Sequence, residues 1–72
     1  MNKTRKPLRL KVAENIRRLR VSLHLSQEAL AFEARMHPNY VGGLERGEYN
    51  MTVGTIEKIA AALKVHPARL LR

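Results

Sequence analysis

The chain has 72 residues, with 14 Lys or Arg against six acids, a formal net charge of +8 and no cysteine. That length holds one small domain with one core, and the missing thiols exclude a disulfide framework, a thiol nucleophile and a Cys-ligated zinc. The longest apolar run, Ile59 to Leu63, is far below the ~18 residues that cross a bilayer, and the basic N-terminus lacks the apolar stretch of a secretory signal, so the expected compartment is the cytoplasm.

Residues 1–7 are polar and basic without periodicity and read as a flexible arm before a single domain over 8–72. Charge is concentrated at this end. Lys3, Arg5, Lys6, Arg9, Lys11, Arg17, Arg18 and Arg20 face Glu14 alone, whereas residues 21–72 hold six basic and five acidic side chains. A basic face of this kind meets a polyanion, either nucleic acid or an anionic membrane surface, unless it merely solubilises.

Val12, Ile16, Leu19 and Leu23 recur at spacings of four, three and four, one stripe of a first helix. His24 falls where glycine often supplies a left-handed turn. Ser26 is placed to cap a second helix over Gln27 to Ala34, with Glu28 suited to its N-terminal dipole. His37-Pro38 ends that stretch and opens a third helix, Pro38 to Arg46, because proline disfavours helical backbone in the residue before it and fits the first helical position. Gly42 and Gly43 lower helix propensity there by about 1 kcal/mol each, so packing must hold it. Gly47 stops it. Thr52 caps a fourth helix with the stripe Ile56, Ile59, Ala60, Leu63. Val65-His66-Pro67 repeats the His-Pro start and leads into a last turn or two over Ala68 to Leu71. No strand pattern appears, so the fold class is all-α.

Two short helices joined by the three-residue link Arg35 to His37 form a helix-turn-helix. The stretches Leu25 to Ala31 (Leu-Ser-Gln-Glu-Ala-Leu-Ala), Tyr40 to Gly47 (Tyr-Val-Gly-Gly-Leu-Glu-Arg-Gly), Asn50 to Thr52 and Ile59 to Val65 strongly resemble the phage-repressor/Cro-like, XRE-type DNA-binding domains. The resemblance covers Leu10 to Leu71. The stretch Asn39 to Gly47 looks most like small stand-alone regulators, among them the controller proteins of restriction-modification systems. The resemblance implies a compact five-helix bundle with Pro38 to Arg46 in the major groove of double-stranded DNA, and because one such helix reads few base pairs, a homodimer on a (pseudo)palindromic operator is expected.

On that implication His37, Asn39, Tyr40, Gly42 and Gly43 are left to face base edges once Val41 and Leu44 turn to the core. Asn39 is the best reader, since its amide pairs bidentately with adenine. Tyr40 either bonds a phosphate or packs its ring on the second helix, and His37 is better placed as a helix cap. Pro38, Gly42 and Gly43 bring no side-chain donors, so DNA shape would supply part of the specificity. Gln27, Arg35, Arg46, Asn50, Thr52, Arg5, Lys6 and Arg9 are the phosphate candidates. The resemblance pairs Arg20 with Glu45 as an ion pair beneath the DNA-facing surface. Ile56, Val65, Leu70 and Leu71 are the expected dimer seam, with capping of the core as the alternative.

Other classes fit poorly. The three histidines lack metal-ligand spacing, there is no aspartate, and Ser26 reads as a cap, so no enzyme, metal, cofactor or small-molecule ligand is expected. The first helix lacks Trp or Phe for a membrane surface. Three aromatic residues are few for stacking single strands. The rival is an antitoxin whose main partner is a toxin protein, disfavoured because no toxin-wrapping segment follows the last helix.

Overall fold

The computed structural model describes residues 7–72. These form four α-helices and a 3-10 turn: α1 Leu8–Ser22, α2 Gln27–Ala34, α3 Pro38–Glu45, α4 Val53–Leu63 and the turn Pro67–Leu70. The fifth expected helix is therefore a 3-10 turn. Its i→i+3 bonds, Arg69 N–H to His66 O at 2.9 Å and Leu71 N–H to Ala68 O at 3.1 Å, wind tightly enough to bring Leu70 beneath the core. Of the basic arm, residues 1–6 lie outside the described residues.

The caps explain why the helices start and stop here. Ser26, His37, Thr52 and His66 each accept a backbone N–H of the first turn they precede, supplying a partner the helix itself cannot. At the other ends His24, Arg35, Lys64 and Gly47 take positive φ, between 58° and 72°. Around each, two backbone bonds close on the last turn: after α2, Arg35 N–H reaches Phe32 O and Met36 N–H reaches Ala31 O. This is the Schellman closure.

α2 packs on α3 and α4, while α1 and the 3-10 turn close the other side. Val12, Ile16, Leu30, Ala31, Ala34, Val41, Leu44, Ile59, Ala60, Leu63 and Leu70 form the core. The α1 stripe reaches this core through Ile16 and fades through half-buried Leu19. Leu23 is exposed, because the chain turns away at His24 before a further helical turn can bury it. Asn15 stands buried in the same face of α1; its amide donates to the carbonyls of Leu70 at 2.9 Å and Arg72 at 2.8 Å.

Candidate nucleic-acid interface

α3 is fixed from below by Glu45. Its carboxylate accepts Arg20 Nε–H at 2.6 Å, Arg20 Nη2–H at 3.0 Å and Gln27 Nε2–H at 3.0 Å. The Arg20 and Glu45 side chains are 12% and 4% exposed. A third guanidinium nitrogen, Nη1, donates to Leu25 O at 2.7 Å. One carboxylate thus joins α1, the start of α2 and the end of α3. Two-pronged, charge-assisted bonds fix orientation as well as distance.

His37 and Pro38 open α3. The His37 ring caps it, Nδ1 accepting Asn39 N–H at 3.0 Å, the capping role expected for it, while the ring stays exposed. Val41 and Leu44 point into the core. Asn39, Gly43 and Arg46 follow at helical spacings of four and three on the opposite face, with Tyr40 beside them. Asn39 and Arg46 are exposed and Tyr40 is half-buried.

Gly42 and Gly43, expected to face base edges, do not lie bare on this face. Both are buried. A β-carbon on Gly42 would meet Arg46 Nη1 at 3.1 Å and Gln27 Oε1 at 3.5 Å, and one on Gly43 would run into the Tyr49 ring. Tyr49, from the loop after α3, also stacks on Tyr40 with ring centroids 5.2 Å apart and planes tilted by 32°. This places Tyr40 on the loop aromatic.

The phosphate candidates divide in the same way. Gln27 turns one amide hydrogen inward to Glu45. Arg9 belongs to α1 and is exposed, and its Nε donates to Gly47 O at 3.1 Å, which braces the end of α3. Gly47 itself has φ 72° and a β-carbon there would strike Leu10, which leaves glycine as the fitting residue. Arg46 is paired on the surface with Glu48 at 2.7 and 3.1 Å. These hydrogen bonds are the main cause that raises the Arg46 pKa and holds the Glu48 carboxyl below the usual carboxylate range. Arg35, Asn50 and Thr52 are exposed, Thr52 as the α4 cap. Arg5 and Lys6 lie outside the described residues.

The expected seam is also revised. Leu70 is fully buried in the core, whereas Leu71 is 44% exposed. Ile56 and Val65 are half-buried against the core. Val65 lines an apolar groove of about 460 Å³ with Leu19, Leu23, Leu25 and Ala62, between the ends of α1 and α4. Among the described residues no helix is long and apolar enough to cross a membrane, and no group of three or more His, Cys, Asp or Glu is arranged to hold a metal ion.

Sequence reasoning missed Asn15 and the role of Tyr49. Asn15 was detectable as a polar residue within the apolar stripe between Val12 and Ile16. Tyr49 carried no local signal, because its contact depends on how the loop folds back over α3.

A model of the Helix-turn-helix family matches residues 16–70, and the chain belongs to this family, as an XRE-type helix-turn-helix domain. Among its relatives is the control protein C.BamHI of Bacillus amyloliquefaciens, 43% identical over 65 residues, which span 89% of this chain and 80% of that one. The structure is similar to that of the restriction-modification controller protein C.AhdI from Aeromonas hydrophila, with a TM-score of 0.83 and 42% identity over 86% of this chain and 94% of the other. It is also similar to the controller C.Esp1396I, seen as a tetramer on its natural 35-base-pair operator, with a TM-score of 0.84 and 29% identity over 92% of this chain and 87% of that one.

Proposed function

We propose that this chain is a sequence-specific regulator of transcription of the restriction-modification controller type, acting in the cytoplasm as a homodimer on double-stranded operator DNA. The observation that carries the reading is the placement of α3: its inner face is locked by Glu45 to α1 and α2, while Asn39 and Arg46 stand exposed on its outer face. A helix held rigidly with polar side chains outward suits the major groove. Asn39 reads an adenine edge, and Tyr40 reads beside it on α3. Arg46, Arg35, Asn50 and Thr52, with Arg5 and Lys6 of the arm, meet phosphates, and Gln27 adds its second amide hydrogen. The dimer seam uses Leu71, Val65 and Ile56. No chemical step is assigned to the protein.

Selection of bound duplexes from a random pool at stated salt, with sedimentation equilibrium to count subunits, tests the reading. The expected motif is two-fold related, with half-site centres ~34 Å apart. Asn39→Ala should relax one base pair per half-site by about 1–3 kcal/mol, and Arg46→Ala should weaken all duplexes alike. A protein that enriches no motif would overturn the proposal.

A further inference from the structure

The outer face of α3 has an unusual composition for a reading surface. Position 43 lies one turn from both Asn39 and Tyr40, in the middle of that face, and has no side chain. The space is filled from outside the helix. The Tyr49 ring lies where a Gly43 side chain would begin and continues onto the Tyr40 ring at 5.2 Å. A tilted aromatic pair at this separation is attractive beyond simple burial. Tyr40 is half-buried and Tyr49 is 44% exposed, so part of the pair is open to solvent beside the outer face of α3. The loop side chain therefore completes a helix surface that the helix sequence leaves unfilled.

We infer that Tyr49 is a specificity-determining positioning residue: seated in the notch at Gly43, it fixes the Tyr40 ring on the DNA-facing side of α3 and so sets what Tyr40 reads. The inference rests on the DNA-binding reading above. Tyr49 acts through its ring and through Tyr40. Gly43 is required because any β-carbon would displace the ring.

The test repeats duplex selection and salt titration with Tyr40→Ala, Tyr49→Ala, Tyr49→Phe, Gly43→Ala and the double Tyr40→Ala/Tyr49→Ala, with circular dichroism melting for each. Tyr49→Ala and Gly43→Ala should relax the same motif positions as Tyr40→Ala and weaken operator binding by about two- to tenfold, the strength of one aromatic pair. Their salt slope should be unchanged. Tyr49→Phe, which keeps the ring, should retain the motif, and the double variant should bind no worse than Tyr40→Ala. An unchanged motif for Tyr49→Ala, relaxation at positions that Tyr40→Ala leaves intact, or a Tyr49→Phe loss equal to that of Tyr49→Ala would overturn the inference. Should Gly43→Ala fail to fold, the Tyr49 variants decide. Wild type enriching no motif would instead remove the DNA-binding reading itself.

Discussion

Glu45 ties α1, α2 and α3 together through one carboxylate. Its three hydrogen bonds leave it almost fully enclosed, and removing one partner of such a pair leaves a charge without compensation. Arg20→Ala is expected to destabilise the fold by about 3–5 kcal/mol. In a double-mutant cycle with Glu45→Gln, a denaturant titration should show strong coupling. Arg46 and Glu48 form the contrasting pair, since both are on the surface. The Glu48 carboxyl is held low in the folded chain, so any stability it adds is present above its unfolded pKa and is lost as pH falls through the lowered folded value. Solvent screening keeps that contribution small. Its larger effect concerns the proposed phosphate contact of Arg46, for which Glu48 would compete. Glu48→Gln should tighten binding to every duplex and steepen the salt slope by up to about 0.9, one added phosphate contact. An unchanged slope would show that Arg46 makes no such contact.

At the scale of the element, all four helices end in the same left-handed closure, yet only Gly47 provides the residue best suited to it. His24, Arg35 and Lys64 hold φ near 59° with a β-carbon present, a conformation that costs roughly 1 kcal/mol. Lys64 is the cleanest test, being exposed and not among the residues proposed to meet DNA. Lys64→Gly should stabilise the protein by a few tenths to about 1 kcal/mol, because strain relief is partly offset by the greater freedom of glycine in the unfolded chain. Thermal melting should show a rise of a few degrees. Gly47→Ala should act in the opposite direction, since strain and collision with Leu10 coincide there.

For the whole molecule, the fold is closed by Asn15, which joins the first helix to the 3-10 turn across 55 residues of sequence. The turn delivers Leu70 to the core, and Asn15 satisfies the carbonyls exposed by that route. Among the described residues no buried side-chain nitrogen or oxygen lacks a partner. Asn15→Ala would leave the buried Leu70 carbonyl unpaired, at an expected cost of about 1–3 kcal/mol. For a chain this small that corresponds to a melting point lower by several degrees per kcal/mol. Hydrogen exchange should show the loss of protection first at the 3-10 turn, where Asn15 supplies the bonds to Leu70 and Arg72.

The sequence by itself determined the helices and their order, because the signals are local. Ser26 and Thr52 cap, His37-Pro38 and His66-Pro67 open, and Gly47 closes, each through atoms within a few residues. Asn39 was recognisable as a candidate reader because it opens a short helix whose Val41 and Leu44 face the core. Tertiary structure decided what each remaining candidate faces. It enclosed Leu70 and left Leu71 exposed, although the two are adjacent and equally apolar, because a 3-10 turn directs one inward. It tied Arg9 to Gly47 across 38 residues, and it covered Gly43 with Tyr49. Spacing along one helix reveals which residues share a face, but contacts between a helix and a distant loop depend on the angles at which the packed elements meet.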